Sequence, residues 1–138
     1  MKKVHFVCIG NCCRSQMAEG FAKHYGSDVL VASSSGLSPT KSVAIETVST
    51  MVDKNIDIRA HFPKKFDPFS MRGYDLVINL SGYDLPGHIE VPVRHWTVRD
   101  PFGDTPEVYA ASANDIEMRV MQLILELRRQ SGPMIAAS

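Results

Sequence analysis

The chain has 138 residues, 44% of them hydrophobic and 22% charged, with 9 Gly and 8 Pro; this is an ordinary globular composition that argues against disorder and fits one domain. Lys and Arg number 15, and so do Asp and Glu, so no bulk field draws in nucleic acid or an anionic membrane. The 3 cysteines all lie between positions 8 and 13, which is no disulfide framework and favours a cytoplasmic enzyme of a small substrate.

Val4-His5-Phe6-Val7-Cys8 predicts a short buried strand. Its apolar stretch ends at Gly10-Asn11, too short for a signal peptide or a membrane span. From Ser15 the period becomes helical through Ala18, Phe21, Ala22 and Tyr25, with Gly26 placed to end the helix. Val29 to Ala32 reads as a second buried strand, followed by a loop holding Ser33-Ser34-Ser35-Gly36 and Pro39. Ala44, Val48, Met51 and Val52 mark a second helix, with Thr40 or Ser42 as its cap. Residues 74–80 form a third strand, apolar on both faces toward its end, as suits a parallel sheet covered on both sides. A loop-rich stretch, 81–105, holds a short strand within 93–98. In the last helix Thr105 caps and Pro106 opens the first turn. Tyr109, Ala113, Ile116, Val120, Leu123 and Leu127 make its apolar stripe, and Gly132-Pro133 stops it. The order β-α-β-α-β-β-α implies an α/β fold: an open four-stranded parallel sheet with helices on both faces, over residues 1–133 with a tail at 134–138.

In such sheets ligands bind at the carboxyl ends of the strands. The first strand ends at Cys8, and Ile9-Gly10-Asn11-Cys12-Cys13-Arg14-Ser15 leads straight into a helix. A thiol and a guanidinium thus close the two ends of one tight loop. Backbone N–H groups between them can converge on an anion, helped by the helix N-terminus. Gly10 and Asn11 tolerate the unusual dihedrals of such a nest. Arg14 adds a planar fork for two oxygens at once. A positive cradle favours the thiolate, which is the attacking form of Cys8, and Ser15 can donate to that sulfur. Cys8, Cys12 and Cys13 without a nearby histidine do not make a zinc spacing, and neither metal nor cofactor is expected.

This segment resembles the active-site loop of the low-molecular-weight protein tyrosine phosphatases and the arsenate reductases of the same fold: Cys, five residues, Arg, then Ser or Thr. Ser34-Ser35-Gly36, the Ile56-Asp57-Ile58 segment ending at His61, and Arg99-Asp100-Pro101-Phe102-Gly103 extend the resemblance over nearly the whole chain. It implies that Asp100 is a general acid facing the nucleophile, and that Asn11, Ser15, Ser34 and His61 hold the loop. It also implies a reversible Cys8–Cys13 disulfide under oxidation; the alternative is that Cys13 packs beneath the loop. Cys12 has no role in the resemblance.

The loop does not separate phosphate from arsenate, which share shape and charge. Reductases of this fold bring a second thiol from the loop after the third strand, where this chain has Ser81, and no cysteine follows Cys13. That favours a phosphatase acting on phosphotyrosine proteins or small aryl phosphates through a cysteinyl-phosphate. Gln16 and Trp96 lean toward the reductases, so an arsenate reductase using an external thiol is the alternative. A non-catalytic module binding phosphate, sulfate or arsenate ranks third.

Overall fold

A computed structural model describes residues 1–137, with side chains through Ser131. The elements are β1 (Lys2–Cys8), α1 (Arg14–Tyr25), β2 (Leu30–Gly36), α2 (Ile45–Val52), a 3-10 helix (Pro68–Gly73), β3 (Leu76–Asn79), β4 (Val93–His95) and α3 (Pro106–Ala137). The four strands are all parallel, in the order β2-β1-β3-β4. β1 is therefore central, and its last residue, Cys8, pairs in register with Gly36 at the end of β2.

Alternation along β1 sends its side chains into two cores. Val4, Phe6 and Cys8 join the larger one, with Met17 and Phe21 of α1, Met51 of α2, and Ile116 and Val120 of α3. Val7 joins a smaller cluster with Val77, Phe66 and Met71, the last from the 3-10 helix. Both faces are covered, but unequally: three α-helices lie on one, and the 3-10 helix with its flanking loops lies on the other. The long stripe of α3 is buried as the sequence predicts.

Three boundaries differ from the sequence expectation. β2 runs on through Ser33, Ser34 and Ser35 to Gly36, where the sequence predicts a loop. A run of serines can be strand here because each hydroxyl has a partner. Ser33 and Ser35 each meet a ring nitrogen of His5 at 2.6 Å, on the smaller-core face. Burial pushes His5 down to about 4, so its ring is neutral and links the two hydroxyls. Ser34 turns to the other face, toward α1. Next, α2 starts after Ala44 with no side-chain cap, because Thr40 Oγ1 donates to the Ser42 carbonyl instead. Finally, α3 continues through Gly132-Pro133 to Ala137 rather than stopping there. Nothing among the described side chains accounts for that continuation. The tail expected at 134–138 falls on side chains outside the described residues.

Candidate active site

The loop from Cys8 to Arg14 is shaped chiefly by where its carbonyls go. Leu37, Ser38, Thr40 and Ala44 donate their backbone N–H groups to the carbonyls of Cys8, Ile9, Gly10 and Cys12 respectively, at 3.1, 2.8, 3.1 and 3.2 Å. Thr47 Oγ1 adds a second bond to the Cys12 carbonyl at 2.8 Å. With the carbonyls tied to the segment after β2, the loop's N–H groups are turned the other way. None from Ile9 to Ser15 has an acceptor among the described residues. Unpaired N–H groups at a helix N-terminus are an anion site. Cys13, at the cap position of α1, leaves that end free by making no side-chain cap bond.

Two residues make the tight path possible. Asn11 has φ of 50°, a left-handed conformation that asparagine tolerates better than most side chains. Gly36 lies so close to the loop that a Cβ there would sit 2.6 Å from the Ile9 carbonyl oxygen and 2.7 Å from the Asn11 nitrogen. Any side chain at 36 would push the loop off β2.

Asn11 is fully buried and directs the hydrogen bonds behind the loop. Its Oδ1 accepts from the Lys64 backbone N–H at 2.9 Å and from Gln16 Nε2 at 3.2 Å. Because a backbone N–H can only donate, the amide orientation is fixed. Its Nδ2 then donates to Ser15 Oγ at 2.7 Å and Ser34 Oγ at 3.0 Å. Ser15 Oγ lies 2.8 Å from Cys8 Sγ, where either group can donate; when Cys8 attacks as a thiolate, which only accepts, Ser15 is placed to donate to it. Ser34 passes its own proton toward Glu19 Oε1. His61 Nδ1 donates to Gln16 Oε1 at 2.9 Å. His61 thus reaches the loop through Gln16 rather than directly, and burial, opposed by Glu19, holds its pKa below the ordinary value. Burial raises the Glu19 carboxyl, but bonds from Lys23 and Ser34 outweigh it, leaving Glu19 below the usual range and ionised.

Arg14 spans the pocket from the opposite side. Its Nη1 donates to the carbonyls of Leu80 and Val98 at 2.6 and 3.2 Å. Nη2 lies 3.5 Å from Asp100 Oδ2. Nε is buried with no partner among the described residues. The guanidinium is therefore held by one nitrogen, while the Nε–Nη2 edge remains for a tetrahedral oxyanion. Asp100, with a side chain 43% exposed, is held by the Phe102 N–H, which donates to its Oδ1 at 3.1 Å. Cys8, Gly10, Cys12, Arg14, Asp100 and Phe102 line one pocket of about 160 Å³.

The structure brings Cys8, the loop amides, Arg14, Ser15 and Asp100 together, and places Asn11, Ser34 and His61 behind them. The Cys13 sulfur touches Tyr109 Oη at 3.6 Å and Cys12 Sγ at 3.7 Å rather than Cys8. All three cysteines are free, and in this reduced arrangement Cys13 packs against Tyr109 while its residue also borders the pocket. Sequence reasoning misses Lys64 and gives Gln16 and Glu19 no role in holding the loop. The available signal is two polar residues, spaced i and i+3, on a helix buried all round from Arg14 to Ala22. Among the described residues, no group of three or more metal-ligating side chains occurs, and no helix is long and apolar enough to cross a membrane.

Comparison with known proteins bears on this geometry. The family model for low molecular weight phosphotyrosine protein phosphatase matches residues 3–132. The chain is 36% identical to a glutaredoxin arsenate reductase of Synechocystis sp., covering 92% of this chain and 99% of that protein. It is 31% identical to an arsenate reductase of Staphylococcus aureus (strain Newman), covering 86% and 93%. Among solved structures, an arsenate reductase in the phosphate-binding state superposes with a TM-score of 0.84 at 36% identity, over 92% of this chain and 99% of that one. A low molecular weight protein tyrosine phosphatase from T. tengcongensis gives 0.77 at 28% identity, over 92% and 100%.

Proposed function

The chain belongs to the low molecular weight phosphotyrosine protein phosphatase family, and within that family we propose that it reduces arsenate with electrons from an external thiol. The sequence by itself favours aryl phosphate hydrolysis. The relatives support the alternative, and so does the pocket rim. Of its lining residues only Phe102 is aromatic, and that residue is 61% exposed. A phenol ring would be gripped on one side only, whereas a small inorganic oxyanion needs nothing beyond the amide cradle and the Arg14 edge. That rim is the observation that carries the reading.

Cys8 Sγ attacks arsenic, and one As–O bond breaks, the oxygen leaving as water with Asp100 within reach to supply a proton. Arsenic is still pentavalent. An external thiolate then attacks Cys8 Sγ, and the S–As bond breaks with its electron pair passing to arsenic, which leaves as arsenite. A second thiol opens the mixed disulfide, freeing Cys8 and carrying off the oxidised thiol. The external source is required because Ser81 stands after β3, buried and bonded to Asn79 Oδ1 at 2.7 Å, and no cysteine follows Cys13. A cytoplasmic setting, where thiols stay reduced, fits this chemistry. The glutaredoxin in the name of the Synechocystis relative suggests glutaredoxin with a small monothiol as the electron source.

Asp100 beside Arg14 supports the second reading, hydrolysis of aryl phosphates or phosphotyrosine through a cysteinyl-phosphate. Both readings are tested by assaying arsenite formation with glutathione and glutaredoxin beside aryl phosphate hydrolysis. Thiol-dependent arsenite, with a trapped mixed disulfide at Cys8, is expected. Aryl phosphate turnover without any arsenite would reverse the order.

A further inference from the structure

The thiols of Cys12 and Cys13 take no part in the chemistry above. Their sulfurs lie 3.7 Å apart, too far for the roughly 2.05 Å of a disulfide and close enough for one atom to bridge them. Both residues line the oxyanion pocket, although each is almost fully buried. Their surroundings fix the pair. The Cys12 carbonyl is tied twice, to Ala44 and Thr47, and the Cys13 sulfur rests against Tyr109 Oη. The two thiols are also unequal. The contact with Cys13 lowers the Cys12 pKa against the opposing effect of burial, while the contact with Cys12 and burial raise that of Cys13. The result is a preorganised dithiol on two residues that border the oxyanion pocket.

We propose that Cys12 and Cys13 form a binding site for trivalent arsenic, next to the nucleophile but independent of it. The trivalent ion is soft and thiophilic, unlike the oxyanion that the amides and Arg14 accept. Binding breaks two As–OH bonds of arsenious acid and forms two S–As bonds. The two thiol protons leave with the hydroxides as water, and no oxidation state changes. The third hydroxyl stays on arsenic. A chain with this pair would hold trivalent arsenic beside Cys8 whether or not it performs the reduction itself.

The test uses the full chain carrying Cys8→Ser, so that the nucleophile cannot supply a thiol, with sodium arsenite as the probe and native mass spectrometry as the readout. One arsenic per chain is expected, displaced by a competing small dithiol but not by an equal concentration of monothiol. Adding Cys12→Ser or Cys13→Ser should weaken retention by about a hundredfold or more, because the second S–As bond is an intramolecular one. Since Cys13 is buried, circular dichroism must show each double variant folded. Should one fail, X-ray absorption at the arsenic edge on Cys8→Ser alone decides, with two sulfur neighbours expected. No retention by Cys8→Ser, retention by either folded double variant, or a single sulfur neighbour would overturn the site. The Cys8→Ser background cannot turn over arsenate, so failure here is separate from failure of the reductase reading.

Discussion

The two walls of the pocket are built to different standards. On the inner wall, Asn11, Ser15, Ser34 and Gln16 are each no more than marginally accessible, and every polar group found there meets a partner. On the outer wall, Asp100 is 43% exposed and 3.5 Å from Arg14, and its neighbours Arg99 and Asp104 pair at the surface. The inner wall fixes the Cys8 sulfur, the proposed nucleophile, and the amide cradle before anything binds. The outer wall carries Asp100, the proposed proton donor, where water can also reach it. Preorganisation is thus concentrated where charge must be held, and relaxed where a proton must be exchanged.

The sharpest way to break the comparison is at the nucleophile. Cys8→Ser should lower either activity by about 10⁴-fold or more, since the remaining groups bind but cannot attack. Its fold should persist, because the inner wall is intact. Residual turnover within tenfold of wild type would mean that another group attacks.

Arg14→Lys comes next. An ammonium keeps the charge but cannot bond the Leu80 and Val98 carbonyls while presenting a two-nitrogen edge. A loss of about 10²- to 10³-fold in turnover is expected, the scale of removing an oxyanion donor. An undiminished lysine variant would show that the unpartnered Nε has no part in holding the anion.

Asn11→Ala attacks the inner wall itself. It removes four hydrogen bonds and puts alanine at φ 50°. Orphaned buried partners and the left-handed strain together should cost roughly 3 kcal/mol, read as a lower urea midpoint. A change below about 0.5 kcal/mol, the usual range for a surface substitution, would mean that the wall is not stiff.

Much of this contrast is readable without coordinates. Cys8, Arg14 and Ser15 lie within eight residues, so local geometry alone puts thiol, guanidinium and hydroxyl around one helix start. The supports of Asn11 are not readable in that way. Lys64 lies 53 positions away and His61 acts through Gln16, 45 positions from it. Only the meeting of residues 61–66 with the end of β2, where Gly36 bonds to both Lys64 and Phe66, brings them in. The serine run of β2 misleads for the same reason. Its polarity reads as loop until His5, Asn11 and Glu19 are seen to satisfy it.

Acid should loosen the inner wall through Glu19. Glu19 is held below its usual 4.5 by Lys23 and Ser34 despite burial. A depressed carboxylate adds stability that is fully present above 4.5 and is lost as pH falls through its folded value. Glu19→Gln should therefore be less stable near neutrality and show a flatter acid limb in urea midpoints. An unchanged acid limb would remove Glu19 from the wall's support.

The smallest effect is expected at the outer wall, and it separates the two readings of function. Asp100→Asn removes the proposed proton donor but leaves the Arg14 edge, the amides and the inner network in place. Stability should stay within about 0.5 kcal/mol of wild type, because the side chain is largely solvated. In hydrolysis of an aryl phosphate, the departing phenolate must take a proton in the transition state, and a poor leaving group depends on the donor. There the loss should be about 10²-fold or more, and much less for an activated phenol. In arsenate reduction the leaving hydroxyl needs one further proton to depart as water, and solvent on the exposed side of the pocket can deliver it to so small a group, so the loss should stay under about tenfold. If Asp100→Asn slows arsenate reduction as much as it slows a poor aryl leaving group, the outer wall is no less essential to the reaction than the inner one. The difference between the two walls would then be one of exposure only, not of chemistry.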